Sequence, residues 1–105
     1  MRSSKMNDIL SGDRIAMMDG LISSSTSYAS AAIAATVLYQ EKSDAFVRQL
    51  VRLKSDNTCL FGYNAGPTIS DFAIAALDLL GIETYSGDRT EILGLIKSKM
   101  EFFKD

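Results

Sequence analysis

The run Ser27-Tyr28-Ala29-Ser30-Ala31-Ala32-Ile33-Ala34-Ala35-Thr36-Val37-Leu38 decides how this chain is read. Alanine is the best helix former, so the run predicts a helix. Its side chains are too small to fill space between distant elements. They are useful only where another backbone comes close, so the run predicts tight helix–helix packing, with Ile33, Val37 and Leu38 as the larger contacts. The partner helix lies either in this chain or in a second copy. The second alternative makes Ala29, Ala32, Ile33, Thr36 and Val37 a candidate self-association face and the protein a candidate homo-oligomer.

Upstream, Asn7 to Asp19 reads as one helix, with Ser11 as an alternative cap ahead of Arg14. Ile15, Met18 and Ile22 fall on one face at helical spacing. Gly20 and the serine run Ser23–Ser27 lower helix propensity, so a break or kink is expected there. Gly20 to Gln40 carries no charge over 21 residues, long enough for a bilayer. Its six serines and threonines from Ser23 to Ser30, with Thr36 beyond, make it too polar for that, and a helix buried in a protein core fits better.

Downstream, Asp44 to Lys54 is amphipathic, with Phe46, Val47, Leu50, Val51 and Leu53 on its apolar side and Arg48 and Arg52 four apart on another. Whether residues 27–54 form one helix or two is open. Ser55 to Pro67 is the clearest loop, carrying Asp, Asn, two Gly and the sole Pro. Thr68 and Asp71 have the spacing of a capping box. Ile69, Phe72, Ala73, Ala76, Leu77 and Leu80 then trace a buried stripe, and Gly81 with Ile82 marks its stop. Asp88 and Glu91 announce a last helix with Ile92, Leu95, Ile96, Met100 and Phe103 inward and Lys97, Lys99 and Lys104 near its end. The short connection makes the last two helices an antiparallel or angled pair.

With seven glycines and one proline in 105 residues, a chain of short strands would lack turn signals. The expected fold is a small all-α bundle of four to five helices, forming one domain over residues 1–105. Hydrophobic residues make up 47% and charged residues 23%, ordinary for a globular domain.

Several chemistries are excluded outright. Histidine is absent and Cys59 is the single cysteine, so no Ser-His-Asp triad, Cys-His pair, intramolecular disulfide or Cys/His zinc site can form within the chain. Cys59 reads as a small apolar filler, and the absence of a disulfide framework fits a reducing, cytoplasmic location. No metal and no cofactor is expected. Asp8 with Asp13, and Asp88 with Glu91, are the neighbouring acids; the second pair sits where helix caps sit. Residues 71–83, ending Leu80-Gly81-Ile82-Glu83, resemble the second helix of acyl carrier proteins. Those carry Asp-Ser-Leu at the helix start where this chain has Ile69-Ser70-Asp71, so no site is transferred.

The functional expectation is a non-enzymatic protein–protein interaction module, probing an unidentified protein partner with Phe61, Tyr63 and Asn64 of the loop and with Arg48 and Arg52. The first alternative is a small nucleic-acid-binding regulator using Arg48, Arg52 and nearby lysines. Eleven basic against thirteen acidic residues, a net charge of −2, argue against it. The second is a small inhibitor or immunity-type protein that blocks a larger partner.

Overall fold

The computed structural model describes residues 4–59 and 67–85, together with 91, 94–96 and 98. Among these, five helices follow in order: α1 (Ser4–Leu10), α2 (Arg14–Leu21), α3 (Thr26–Leu38), α4 (Asp44–Leu53) and α5 (Ile69–Leu79). Residues 91, 94–96 and 98 are helical as well. No strand occurs among the described residues, and the one β-type contact is an isolated bridge between Cys59 and Thr68. The protein is a small all-α bundle.

α3 is its axis. Residues 31–36 are buried without interruption, because α1, α2 and α5 all pack on this helix. A helix apolar on every side belongs in a core. The alanines let the neighbours come close: a Cβ placed on Gly20 of α2 would lie 2.7 Å from the Ala32 Cβ. The neighbouring rod that the small residues require is therefore in the same chain. Thr36 adds no exposed polarity, since its hydroxyl donates to the Ala32 carbonyl at 2.7 Å.

The serine run ahead of α3 turns the chain and starts the helix. Ser23 Oγ accepts from the Ser25 amide at 3.0 Å, and Ser25 Oγ, at the N-cap, accepts from the Tyr28 amide at 3.4 Å. Serine competes for backbone donors in this way, which suits it to caps rather than helix interiors. The uncharged stretch 20–40 is thus divided between two helices. No helix among the described residues is long and apolar enough to cross a membrane.

The single helix expected over residues 7–19 is corrected to two. The chain breaks at Gly12, whose φ of 90° suits glycine alone. The cap of α2 is Asp13 rather than Ser11, accepting from the amides of Ile15 and Ala16 at 3.0 and 3.1 Å. The Tyr39 ring lies against Gly12, and its hydroxyl donates to the Leu10 carbonyl at 2.8 Å, clamping the break to the end of α3.

Residues 27–54 form two helices. α3 closes with Gln40 N–H donating to Val37 O at 3.1 Å and Glu41 N–H to Thr36 O at 2.9 Å. This is a Schellman closure with a left-handed residue in the glycine position, and that residue is Gln40 at φ 50°. A side chain in the left-handed region costs about 1 kcal/mol. Gln40→Gly is accordingly expected to stabilise the fold by about 0.5–1 kcal/mol, less than the full strain because glycine loses more entropy on folding. Urea denaturation measures this, and a destabilised Gln40→Gly chain would refute it.

α4 buries Phe46, Leu50 and Leu53, while Val51 of the expected apolar side is 41% exposed. α5 matches its sequence pattern closely. Thr68 and Asp71 make the reciprocal capping box, and Ile69, Phe72, Ala73, Ala76, Leu77 and Leu80 are all buried. At its end, Ile82 N–H donates to Leu77 O and Gly81 N–H to Asp78 O, with Gly81 at φ 74°. In the last helix Ile96 is buried, but Leu95, expected inward, is exposed. Asp88, Ile92, Met100 and Phe103, and the lysines Lys97, Lys99 and Lys104, lie outside the described residues.

Candidate interaction face

Once Asp13 sets the start of α2, its register follows. Met17, Gly20 and Leu21 turn inward against α3. Each residue advances about 100° around a helix, which places Ile15, Met18 and Ile22 within about 60° of one another on the far side. Ile15 is 78% exposed and Ile22, at the C-cap, 58%, with Met18 half-buried between them. Isolated exposed isoleucines are ordinary. Two of them flanking a methionine on one helical face make a continuous apolar stripe.

α4 lies beside α2 and runs in the same direction. At the N-terminal ends, Arg14 Nε pairs with Glu41 at 3.0 Å, a terminal nitrogen reaches Ser43 Oγ at 3.5 Å, and the guanidinium stands 5.5 Å from the Phe46 ring centroid. At the C-terminal ends, Arg52 donates to the Leu21 carbonyl at 3.3 Å and to Gln49 Oε1 at 2.8 Å. These ties fix the stripe's orientation on that flank.

On the other flank lies an open depression of about 430 Å³, lined by Lys5, Asp8, Asp13, Ile15, Ala16 and Asp19. Ile15 belongs to both the stripe and the depression. The Asp13 carboxylate is engaged as the α2 cap, and the Lys5 ammonium stands 4.7 Å from the Tyr28 ring centroid. A second depression, of about 350 Å³, is lined by Lys54, Ile74, Glu83, Thr84 and Tyr85, with Lys54 and Glu83 paired across it at 2.7 Å. No group of three or more acidic or cysteine side chains among the described residues is arranged to hold a metal ion.

The residues singled out from sequence are scattered by this arrangement. Ala29, Ala32, Ile33 and Thr36 are buried in the chain's own core, and Val37 is half-buried against it. The self-association face proposed for them is corrected on that ground: α1, α2 and α5 already occupy it. Arg48 and Arg52 are both exposed on α4, and Arg52 also donates to Gln49 Oε1 and to the Leu21 carbonyl. Lys54 is engaged with Glu83. Phe61, Tyr63 and Asn64 lie outside the described residues. The base of their loop is closed by the Cys59–Thr68 bridge, with Ile69 N–H donating to Thr58 O and Ser70 N–H to Asp56 O. Cys59 is free and half-buried.

The exposure of Ile15 and Ile22 was missed from sequence. The signal was present in the competing stripe Met17–Gly20–Leu21, whose glycine is the complement of an alanine-rich helix. Comparison of the chain with protein-family models, curated proteins and solved structures found no match.

Proposed function

We propose that this chain is a non-enzymatic protein-interaction module that meets its partner with the outward face of α2. The observation carrying this reading is the apolar stripe Ile15–Met18–Ile22, its two isoleucines exposed and Met18 half-buried between them, on a helix whose opposite face is committed to the core. Its isoleucines stay in water although Met17 and Leu21 of the same helix are completely buried. The absence of histidine and the single cysteine leave few groups for catalysis, which agrees with a binding role. The basic residues of α4 support a nucleic-acid role less well, since Arg52 also bonds the Leu21 carbonyl, Lys54 pairs with Glu83 and the chain carries a net charge of −2.

The test is the double variant Ile15→Ser with Ile22→Ser. Surface changes of this kind usually alter stability by about 0.5 kcal/mol each, so the variant is expected to fold as the parent does. Burying an isoleucine contributes about 1.5–3 kcal/mol, so losing both is expected to weaken partner binding more than 100-fold. Sedimentation equilibrium examines a second copy as the partner, and titration of the purified pair examines any protein recovered with the parent chain. Association that the double variant abolishes supports the reading. Association that persists unchanged in the variant, or a parent chain that binds neither itself nor any protein, overturns it.

A further inference from the structure

The flanks of the stripe identify the chemistry of the partner. From the α2 register, Asp19 lies about 40° to one side of Ile15, and Arg14 about 40° beyond Met18 on the other. The Arg14 side is electrically satisfied: its guanidinium is held by Glu41 and covers the Phe46 ring. On the Asp19 side, the depression shared with Ile15 gathers, among the described residues, three carboxylates, those of Asp8, Asp13 and Asp19, against the one ammonium of Lys5. Asp8 and Asp19 are both exposed. The face therefore offers an apolar strip with an excess of negative charge along one edge. An anionic partner edge placed there would meet like charge, and a neutral one would leave Asp8 and Asp19 uncompensated.

Resting on the α2 reading above, we propose that the partner presents a cationic amphipathic helix, whose apolar side covers Ile15, Met18 and Ile22 and whose lysines or arginines lie along Asp8 and Asp19. Such a helix lays i, i+3 and i+4 apolar anchors on a facing strip, while its charges set register and partner choice. A second copy of this chain fits less well, because the exposed α2 helix it would bring carries the same acidic edge.

Two synthetic helical peptides test this, each about 14 residues long with the same leucine stripe, one with lysines and one with glutamates on the polar face. Each is titrated into the intact chain by amide chemical-shift mapping and fluorescence anisotropy. The lysine peptide is expected to shift the amides of Ile15, Met18, Asp19 and Ile22, to bind at least about tenfold more tightly than the glutamate peptide, and to weaken several-fold between about 50 and 300 mM salt. Asp8→Asn with Asp19→Asn is expected to remove most of the difference between the peptides while leaving the fold intact. Ile15→Ser with Ile22→Ser is expected to abolish binding of both. Equal binding of the two peptides at α2 overturns the cationic assignment and leaves the α2 face standing. Shifts located elsewhere, or no shifts at α2 with either peptide, overturn both.

Discussion

Gly20→Val is expected to destabilise the protein by about 2–3 kcal/mol. A Cβ at Gly20 would stand 2.7 Å from the Ala32 Cβ, 3.0 Å from Ile9 Cδ1 and 3.1 Å from the Tyr28 carbonyl oxygen. The Ile9 methyl can swing aside by changing rotamer. The other two atoms cannot, because Ala32 Cβ and Tyr28 O are fixed to the backbone of α3. The added carbons force α2 away from α3 and loosen the packing of Met17 and Leu21, both completely buried. Helix propensity acts in the opposite sense, since glycine in a helix interior is about 1 kcal/mol worse than alanine and somewhat less so relative to valine. Close approach is expected to prevail for valine, and Gly20→Ala to fall between it and the parent. A loss of this size lowers the melting temperature by about 10 °C or more, which calorimetry reads directly. A Gly20→Val chain as stable as the parent would show that α2 and α3 are spaced more widely than the 2.7 Å approach to Ala32 Cβ implies.

The same contact explains how far the sequence could be read. The alanines of residues 29–35 demand a close neighbour, and that demand is met. Nothing in their spacing says whether the neighbour is α2 of the same chain or a helix of another. Gly20 carried the answer, but a glycine beside a serine run looks first like a breaker. Its role as a close-approach residue depends on Ala32 lying opposite, a long-range fact. α5 was legible because each of its signals is local: the cap at Thr68 and Asp71, the stripe from Ile69 to Leu80, and the left-handed stop at Gly81 all lie within its own span.

The less legible parts either carry no sequence signal or depend on residues far along the chain. Gln40 ends α3 in a conformation usually left to glycine, and no sequence signal announces that. Gly12 is a visible break, but choosing it over one continuous helix through residues 7–19 rests on the Tyr39 ring from the far end of α3. The face of α2 was ambiguous because two stripes compete, Ile15–Met18–Ile22 and Met17–Gly20–Leu21. The first is richer in large apolar residues, and on hydrophobicity alone it would be buried. The second wins because its glycine admits α3, and packing density outweighs the size of the side chains left outside. That substitution of one stripe for the other creates the candidate face.

Leu77 and Leu79 give the sharpest separation between fold and face. They are two residues apart on α5, with Leu77 completely buried and Leu79 40% exposed. Leu77→Ala is expected to cost about 2–5 kcal/mol, through lost burial and through the cavity left in the core. The hydrogen bonds to the Leu77 carbonyl from Ile82 and Glu83 are made by backbone, so alanine retains them and the loss reports packing. Leu79→Ala removes a half-solvated side chain and is expected to cost less than about 1 kcal/mol. Chemical denaturation of the two variants side by side measures the difference, and costs within about 1 kcal/mol of each other would refute the described register of α5. Domains of this size are stable by about 5–15 kcal/mol, so Leu77→Ala removes a substantial share of the total while leaving a folded population to assay. Binding by that folded population should be as tight as the parent's, because Leu77 is not on α2. The Ile15→Ser, Ile22→Ser chain should behave oppositely, stable and unable to bind. Stability lost with binding retained in one variant, and the reverse in the other, requires the core that builds the protein to be separate from the outer face of α2 that uses it.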